Sequence, residues 1–218
     1  MVQKCNKFIY YDDVSFIKKG WINRNRIRSG SSEHIFVTPV TKASQNRKIN
    51  ETFLTSDQLW INKLQKSLDM NYSGSKNYEE VSALVMNTLT KYSVPTNTIA
   101  DLAIASLESV ISYFDLPIIR KRSSMLEKKF ENENRSNRLI NISKSQGCTR
   151  YINSIGGKKL YSKEEFKEHG IELCFLNAEI REYQQTKAPF IKGLSIIDLL
   201  MNCSKDEAIN HISAGRLI

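Results

Sequence analysis

The chain has 218 residues, 40% of them hydrophobic, which suits one folded domain and excludes a chain that is disordered throughout. No apolar run approaches the ~20 residues that cross a bilayer, and no charged-then-apolar leader follows Met1, so we expect a cytoplasmic protein without a membrane span. The formal net charge of +9 favours anionic partners, either phosphorylated small molecules or nucleic acid.

The first half of the chain predicts two strands followed by a helical segment. Apolar and alternating residues indicate strands at residues 7–11 and 33–40. Within residues 55–115, apolar side chains recur at helical spacing, which predicts a helical insertion in the middle of the chain. The predicted helices cover residues 55–68, 79–92 and 99–114.

The second half of the chain alternates strands and helices. The predicted elements are a strand at residues 116–120, a helix at 137–146, a strand at 149–152, a helix beginning at Ser162, a strand at 171–176, and final helices beginning near Ser195 and Ser204. The strand, helix and strand within residues 149–176 have short connections, which predicts a parallel crossover unit. Residues 121–136 are charged and poor in apolar side chains, so we expect a mobile loop there.

The first candidate site is the polar stretch at residues 12–27, directly after the first predicted strand. A polar loop at the carboxyl end of a strand is the usual ligand site of an open α/β sheet. Arg24 and Arg26 suit bidentate contact with a carboxylate or phosphate, and Trp21 suits stacking on a flat or sugar-like face. The alternative is a basic surface loop whose Trp21 is buried in the core.

Two further polar clusters follow predicted strands. Gly156 and Gly157 lie in a loop at residues 153–159, where a glycine backbone would approach a ligand closely and offer N–H groups to an anion. The loop does not have the residue spacing of a P-loop, so an ordinary strand-to-helix turn is the alternative. The other cluster, at residues 42–46, contains Ser44, whose role as a nucleophile the sequence does not support.

The positive charge is concentrated in two blocks. Residues 1–50 contain ten Lys or Arg and three Asp or Glu, giving +7, and residues 111–150 contain nine and four, giving +5. Residues 51–110 contain four Lys or Arg and seven Asp or Glu, giving −3. Residues 151–218 contain nine of each kind, giving zero. Helix-turn-helix, RNP and zinc-finger patterns are absent, so nucleic acid is a partner that the sequence does not favour.

The cysteines and histidines predict no metal site. Cys5, Cys148, Cys174 and Cys203 form no C-x-x-C pair, which favours reduced thiols in a cytoplasmic protein. The three histidines are isolated from one another, whereas metal ligands usually occur at short, regular spacings. The sequence identifies no cofactor.

Several sequence blocks resemble the WbqC-like protein family. The first block is Asp12-Asp13-Val14 with Phe16, Lys18 and Trp21, followed by Asn23-Arg24-Asn25-Arg26. The later blocks are Lys42 with Ser44-Gln45, residues 151–157 with 160–161, residues 170–176, and residues 194–201. They occur in the family's order from near the start of the chain to near its end, which makes the resemblance specific.

The resemblance implies a single α/β domain over residues 1–218, with a Rossmann-like, mostly parallel sheet flanked by helices. It also implies a bacterial protein of surface-polysaccharide biosynthesis, O-antigen included. The activity proposed for such proteins is transfer of an aminoacyl group, glycyl in particular, onto an amino sugar. The implied substrates are a nucleotide-linked amino sugar and an activated amino acid.

The resemblance assigns the polar side chains of these blocks to a substrate site. The residues expected to bind substrate are Lys18, Trp21, Asn23, Arg24, Asn25, Arg26, Lys42, Ser44, Gln45, Asn153, Gly156, Gly157 and Asp198. The expected general base is Asp12 or Asp13, which would accept a proton from the attacking amine. Helix capping is the alternative role of Asp198.

The start of the chain departs from the family's pattern. Family members usually begin with a strand and a Q-P-x-Y-F-P-like loop, which would precede Val2. We therefore expect either a gene start at an internal methionine or a shortened, inactive copy that acts as a non-catalytic module for nucleotide-sugar or nucleic acid. A nucleotidyl-transferring enzyme is a third hypothesis, based on fold analogy alone.

Overall fold

The structure of the protein is a computed structural model that describes residues 1–127, 130 and 133–218. Its residues form two compact units. The first unit comprises Met1–Tyr11, Pro117–Glu179 and Ile212–Ile218, and the second comprises Asp12–Leu116 and Ile180–His211. Over the part of the chain that is described, every helix is too short or too polar to cross a membrane.

Seven strands and seven α-helices occur within the described ranges. The strands are β1 (Lys7–Tyr10), β2 (Arg24–Ser29), β3 (Ser32–Val37), β4 (Ile119–Arg122), β5 (Arg150–Ser154), β6 (Glu172–Ala178) and β7 (Gly215–Leu217). The helices are α1 (Leu59–Tyr72), α2 (Tyr78–Tyr92), α3 (Ile99–Tyr113), α4 (Arg135–Ser145), α5 (Lys163–Glu168), α6 (Ile196–Asn202) and α7 (Lys205–Ile212).

The strands of the first unit form two small sheets. β1 pairs with β4 in parallel, with Lys7 opposite Ile119. β5 and β6 also pair in parallel, with Arg150 opposite Glu172, and β7 adds to β6 in antiparallel orientation. The β5–α5–β6 connection confirms the predicted parallel crossover, whereas β7 is too short to produce a recognisable alternation in the sequence.

Helix α5 packs on the sheet of the first unit through one aromatic side chain. The Ser162 hydroxyl accepts hydrogen bonds from two backbone N–H groups of the first turn, which confirms the predicted cap. Phe166 is fully buried, with its ring stacked on Tyr151 at 5.7 Å between centroids and edge-on to Tyr161 at 6.1 Å. Burial of this ring therefore fastens the helix to β5.

The second unit combines a β-hairpin with three long helices. β2 and β3 are antiparallel, with Arg24 opposite Val37. Gly30 lies in the hairpin turn with a φ of 61°, which glycine adopts without strain. Thr98 begins α3 through a capping box. Helices α2 and α3 lie where helical spacing predicts them, whereas α1 begins at Leu59 rather than near residue 55 and continues to Tyr72.

The mixed α/β class is confirmed, but the sheets are small. They have two, two and three strands within the described residues, and parallel pairing joins at most two strands in each. A Rossmann-like, mostly parallel sheet is therefore not confirmed. The prediction of one polar loop over residues 12–27 is wrong, since Arg24–Ser29 forms β2. This strand lacks apolar alternation because one of its buried side chains is Arg28.

The charged segment at residues 121–136 has regular structure at both ends. β4 extends to Arg122, Ser123–Met125 form a 3-10 helix, and α4 begins at Arg135. Residues 128, 129, 131 and 132, where we expected a mobile loop, lie outside the described residues.

Replacing Phe166 with alanine should destabilise the first unit, because the fully buried ring packs between α5 and β5. We expect the free energy of unfolding, measured by urea denaturation, to fall by about 3–5 kcal/mol. Leu160→Ala is the matched control: Leu160 is 57% exposed, and its truncation should cost less than about 0.5 kcal/mol. Equal stability of Phe166→Ala and the unmodified chain would contradict this description of the core.

Candidate functional site

The residues predicted to form the site are divided between the two units. Asn153, Gly156 and Gly157 belong to the first unit. The second unit contains the others: Asp12, Asp13, Lys18, Trp21, Asn23, Arg24, Asn25, Arg26, Lys42, Ser44, Gln45 and Asp198. Of these, the structure brings three side chains of the first block into contact, which we call the Trp21–Arg24–Arg26 cluster.

The Trp21–Arg24–Arg26 cluster lies where the loop after β1 enters β2. The guanidinium carbons of Arg24 and Arg26 are 5.4 Å and 5.5 Å from the centroid of the Trp21 ring, within the ~6 Å range of a cation–π contact. The two arginines share a face of β2 because they are two positions apart. Trp21 is 60% exposed, so the alternative of an indole buried in the core is wrong.

The two arginines of the cluster differ in how their charge is balanced. Arg26 donates from Nε to the Gly193 carbonyl at 2.7 Å and from Nη1 to the Glu33 carboxylate at 2.9 Å. Arg24 donates from Nη1 to the Lys19 carbonyl at 2.8 Å and has no carboxylate partner among the described residues. The charge of Arg24 is therefore not balanced by a carboxylate in the described chain, whereas Arg26 is paired with Glu33 and held by Gly193.

Asn23 and Asn25 make local contacts within the hairpin. The Asn23 side chain donates to the Thr38 carbonyl at 3.0 Å and ties the start of β2 to the end of β3. Asn25 is exposed, and its side-chain oxygen accepts from the Arg26 backbone N–H at 2.9 Å. Because strand side chains alternate, Asn25 faces away from the two arginines of the cluster.

Asp12 and Asp13, the expected bases, are 2% and 5% exposed. The backbone after them is held to residues 47–50: Asn50 N–H donates to the Asp12 carbonyl at 3.1 Å, and Phe16 N–H donates to the Arg47 carbonyl at 2.8 Å. Both aspartates have interaction partners, as buried acids require. A base must reach the proton that it removes, and the burial of these acids limits such contact to a group that enters the protein surface.

The remaining predicted residues of the second unit lie on exposed loops. Lys18 is exposed in the loop before Trp21. Lys42 and Gln45 are exposed in the loop after β3, where the Ser44 hydroxyl accepts from the Asn46 backbone N–H at 3.2 Å. This hydrogen bond closes a local turn, and no general base approaches Ser44 in the described contacts.

Gly156 and Gly157 do not form an open glycine loop. Residues Ile155–Lys159 form a 3-10 helix directly after β5. A side chain at Gly157 would place its Cβ 2.9 Å from Cγ of Asn153, so the Asn153 side chain would have to move to accommodate it. The Asn153 side chain accepts from the Ser154 N–H at 2.7 Å. The structure therefore places the Asn153 side chain against the Gly157 backbone.

Asp198 lies in the first turn of α6, but its side chain does not cap the helix. The cap is Ser195, whose hydroxyl accepts from the Ile197 N–H, as the sequence predicts. Asp198 is fully buried and accepts hydrogen bonds from the Tyr72 hydroxyl at 2.8 Å, the Tyr183 hydroxyl at 2.7 Å and Gln185 Nε2 at 2.9 Å. These three donors satisfy the charge of a carboxylate that is removed from water.

Arg28 extends this buried network and was not predicted from the sequence. Arg28 is fully buried. Its guanidinium donates hydrogen bonds to the side-chain oxygen of Gln185 and to the carbonyls of Pro189 and Gly30. Its backbone N–H donates to the Tyr72 hydroxyl at 2.8 Å. The available signal was the alternation of arginines at residues 24, 26 and 28, which is the two-residue period of a strand.

The hydroxyls of Tyr72 and Tyr183 remain protonated far above neutral pH. Burial is the largest cause, and the neighbouring Asp198 carboxylate adds to it, so the pKa of each tyrosine is raised well above its ordinary value. Both hydroxyls therefore act as hydrogen-bond donors to Asp198 over the physiological range.

A comparison with known protein families gives a match that covers all of the predicted site residues. The model of the WbqC-like protein family matches residues 1–210. The chain is also similar to the Uncharacterized protein Rv1507c of Mycobacterium tuberculosis (strain ATCC 25618 / H37Rv), with 24% identity over 207 residues, covering 93% of this chain and 86% of the relative. No solved structure matches the chain.

Replacing Asp198 with asparagine should destabilise the second unit. The amide nitrogen replaces an oxygen that now accepts a hydrogen bond, which leaves a buried hydroxyl of Tyr72 or Tyr183 without an acceptor. We expect a loss of about 3 kcal/mol in the free energy of unfolding. The measurement is urea denaturation, and the matched control is Asp206→Asn, which changes an exposed acid on α7. A variant as stable as the unmodified chain would show that the network is dispensable.

The raised pKa values of Tyr72 and Tyr183 predict a loss of stability in alkali. A group with a raised folded-state pKa stabilises the fold below its unfolded pKa, here about 10, and this stabilisation is lost as the pH rises above that value. The free energy of unfolding should therefore fall progressively above about pH 10. In the double variant Tyr72→Phe with Tyr183→Phe, the free energy of unfolding should be lower at neutral pH and should fall less steeply with rising pH. An unchanged slope would show that these two tyrosines do not cause the alkaline loss of stability.

Proposed function

We propose a function from one premise: this chain belongs to the WbqC-like protein family. We propose that it is a transferase that modifies an amino sugar with an aminoacyl group, glycyl in particular, for O-antigen or another surface polysaccharide. The observation that supports this most directly is the exposed Trp21 ring with the guanidinium groups of Arg24 and Arg26 beside it.

The chemistry of the Trp21–Arg24–Arg26 cluster suits a nucleotide-linked sugar. Arg24 has a planar donor group and no carboxylate partner in the described chain, so it would bind a phosphate of the substrate. Arg26, held by Gly193 and Glu33, would keep the positive charge beside it in a fixed position. The exposed face of Trp21 would pack on the sugar or the base.

The proposed reaction joins the amine of the sugar to an activated carboxyl group. The amine nitrogen attacks the carboxyl carbon, a C–N bond forms, and the bond from that carbon to its activating group breaks. Asp12 or Asp13 would accept the proton that the attacking nitrogen releases. Lys18, in the same loop, would attract the anionic substrates. A Rossmann-like organisation stays part of this proposal, supported by the parallel β5–α5–β6 crossover of the first unit.

A non-catalytic binding module is the second candidate, and burial of the two acids favours it. Asp12 and Asp13 are 2% and 5% exposed, whereas the Trp21–Arg24–Arg26 cluster supplies binding groups at the surface. Such a module would bind a nucleotide-sugar saturably and leave it unchanged. Binding of nucleic acid instead would show a steep decrease in affinity with rising salt concentration.

Replacing Arg24 with alanine should abolish transfer while preserving the fold, because the residue binds ligand and does not contribute to the core. The measurement is mass spectrometry of the surface-polysaccharide repeat from a deletion strain that carries either the unmodified gene or the variant. We expect the aminoacyl substituent to return with the unmodified gene alone, and Arg24→Lys, which keeps the charge without the planar fork, to restore about a tenth or less of it.

The matched control for this experiment is Lys66→Ala, which removes an exposed cation of the second unit from α1. It should restore the substituent fully. Full activity of Arg24→Ala would overturn the proposed site. A polysaccharide that is identical with and without the gene would overturn the proposed pathway, and saturable nucleotide-sugar binding without any substituent would support the binding module.

A further inference from the structure

The segment from Gln185 to Gly193 in the second unit contacts two arginines of β2, and we call it the Gln185–Gly193 loop. Arg28 donates from Nη2 to the Pro189 carbonyl at 2.6 Å, and Arg26 donates from Nε to the Gly193 carbonyl at 2.7 Å. Arg26 also lies beside the Trp21 ring. The Gly193 end of the loop therefore contacts the Trp21–Arg24–Arg26 cluster directly.

The side chain of Gln185 closes this loop from within. Its Oε1 accepts a hydrogen bond from the Ile191 N–H at 2.7 Å, and its Nε2 donates to the Ile191 carbonyl at 3.0 Å. The amide therefore satisfies both backbone groups of Ile191, as the backbone of a neighbouring strand would. Gln185 is buried, so these hydrogen bonds are shielded from water.

Two opposite charges fix which end of the Gln185 amide carries the oxygen. The Arg28 guanidinium donates to Oε1, and Nε2 donates to the Asp198 carboxylate at 2.9 Å. A guanidinium has donors alone and an ionised carboxylate has acceptors alone, so a reversed amide would match neither of them. The network around Asp198 therefore holds Gln185 in the one orientation that closes the loop.

The Gly193 end of the loop fixes the guanidinium of Arg26. Gly193 has a φ of 75°, which glycine adopts without strain, and a Cβ at this position would lie 2.7 Å from Nη2 of Arg26. The Ser195 N–H, two residues further on, donates to the Arg26 carbonyl at 2.8 Å. Arg26 is thus held through its main chain and its side chain at the end of a loop that Gln185 closes.

We propose that Gln185 is a positioning residue of the substrate site. By closing the loop, it places the Gly193 carbonyl where it holds the Arg26 guanidinium 5.5 Å from the centroid of the Trp21 ring. This inference rests on the proposed function, in which the Trp21–Arg24–Arg26 cluster binds the substrate. Gln185 acts through the loop, so its loss releases Arg26 from the cluster and weakens substrate binding.

The fluorescence of Trp21 tests the position of Arg26 without any ligand. In a Trp60→Phe background Trp21 is the sole tryptophan, and the ratio of iodide to acrylamide quenching reports the positive charge beside its ring. Gln185→Met, which keeps the length of the side chain without its amide, should lower this ratio by ~2-fold, because a unit charge at this distance changes the local anion concentration by that order. Quenching by caesium should rise.

A purely structural role of Gln185 would reduce stability towards urea and leave the quenching ratio of the folded protein unchanged. An unchanged ratio in folded Gln185→Met would therefore overturn the proposal.

Gly193→Ala tests the same step and leaves Gln185 in place, so it also decides the outcome if Gln185→Met does not fold. The added Cβ displaces the Arg26 guanidinium, and the iodide ratio should fall by ~2-fold again. Gly30→Ala is the matched control, since Gly30 has a φ of 61° and a Cβ there would meet no atom of the described chain within 4 Å. An equal decrease in Gly30→Ala would assign the effect to backbone strain and overturn the proposal.

Binding of UDP-N-acetylglucosamine separates this inference from the proposed function. By isothermal titration calorimetry the unmodified chain should bind this probe saturably, and Gln185→Met and Gly193→Ala should each weaken binding by ~10-fold, because one of two guanidinium groups leaves the site. Equal affinity of the unmodified chain and both variants would overturn the positioning role. A lower iodide ratio in both variants, with no binding of the probe to any form, would count against the proposed function and support the positioning of Arg26 by Gln185.

Discussion

The buried Asp198 carboxylate is the interaction on which the second unit depends. A carboxylate without water requires donors from several directions, and here they come from Tyr72 at the end of α1 and from Tyr183 and Gln185 in the segment before α6. Tyr72 and Gln185 also accept hydrogen bonds from Arg28 of β2, so they connect Arg28 to Asp198. Breaking one contact leaves another buried polar group unsatisfied, so these elements are stabilised together.

This network also determines the position of the candidate site. β2 runs from Arg24, which has no carboxylate partner in the described chain, through Arg26 to the fully buried Arg28. Arg28 holds the segment around Pro189, and Gly193 of the same segment accepts a hydrogen bond from Arg26. The buried Arg28 therefore holds the strand and the Pro189–Gly193 segment together, and this segment in turn fixes the guanidinium of Arg26.

The predicted polar residues differ in their surroundings. Asp198 and Asp12 are both buried acids of the family's blocks: Asp198 accepts hydrogen bonds from three donors within the core, and Asp12 follows β1 at the start of the loop that contains Trp21. Gly157 allows the close approach of the Asn153 side chain. Trp21 is exposed and contacts the half-buried Arg24, which has no carboxylate partner in the described chain, and the proposed function depends on this pair.

The sequence by itself determined the helices, the parallel crossover at β5–α5–β6, the Ser162 and Ser195 caps and the family, because these follow from local periodicity, capping chemistry and the order of motifs. Tertiary structure alone decided that residues 24–29 form a strand, since their pairing with β3 and the neutralisation of Arg28 involve distant residues. It also decided the burial of Asp198, because the identity of a carboxylate's donors depends on which segments fold around it.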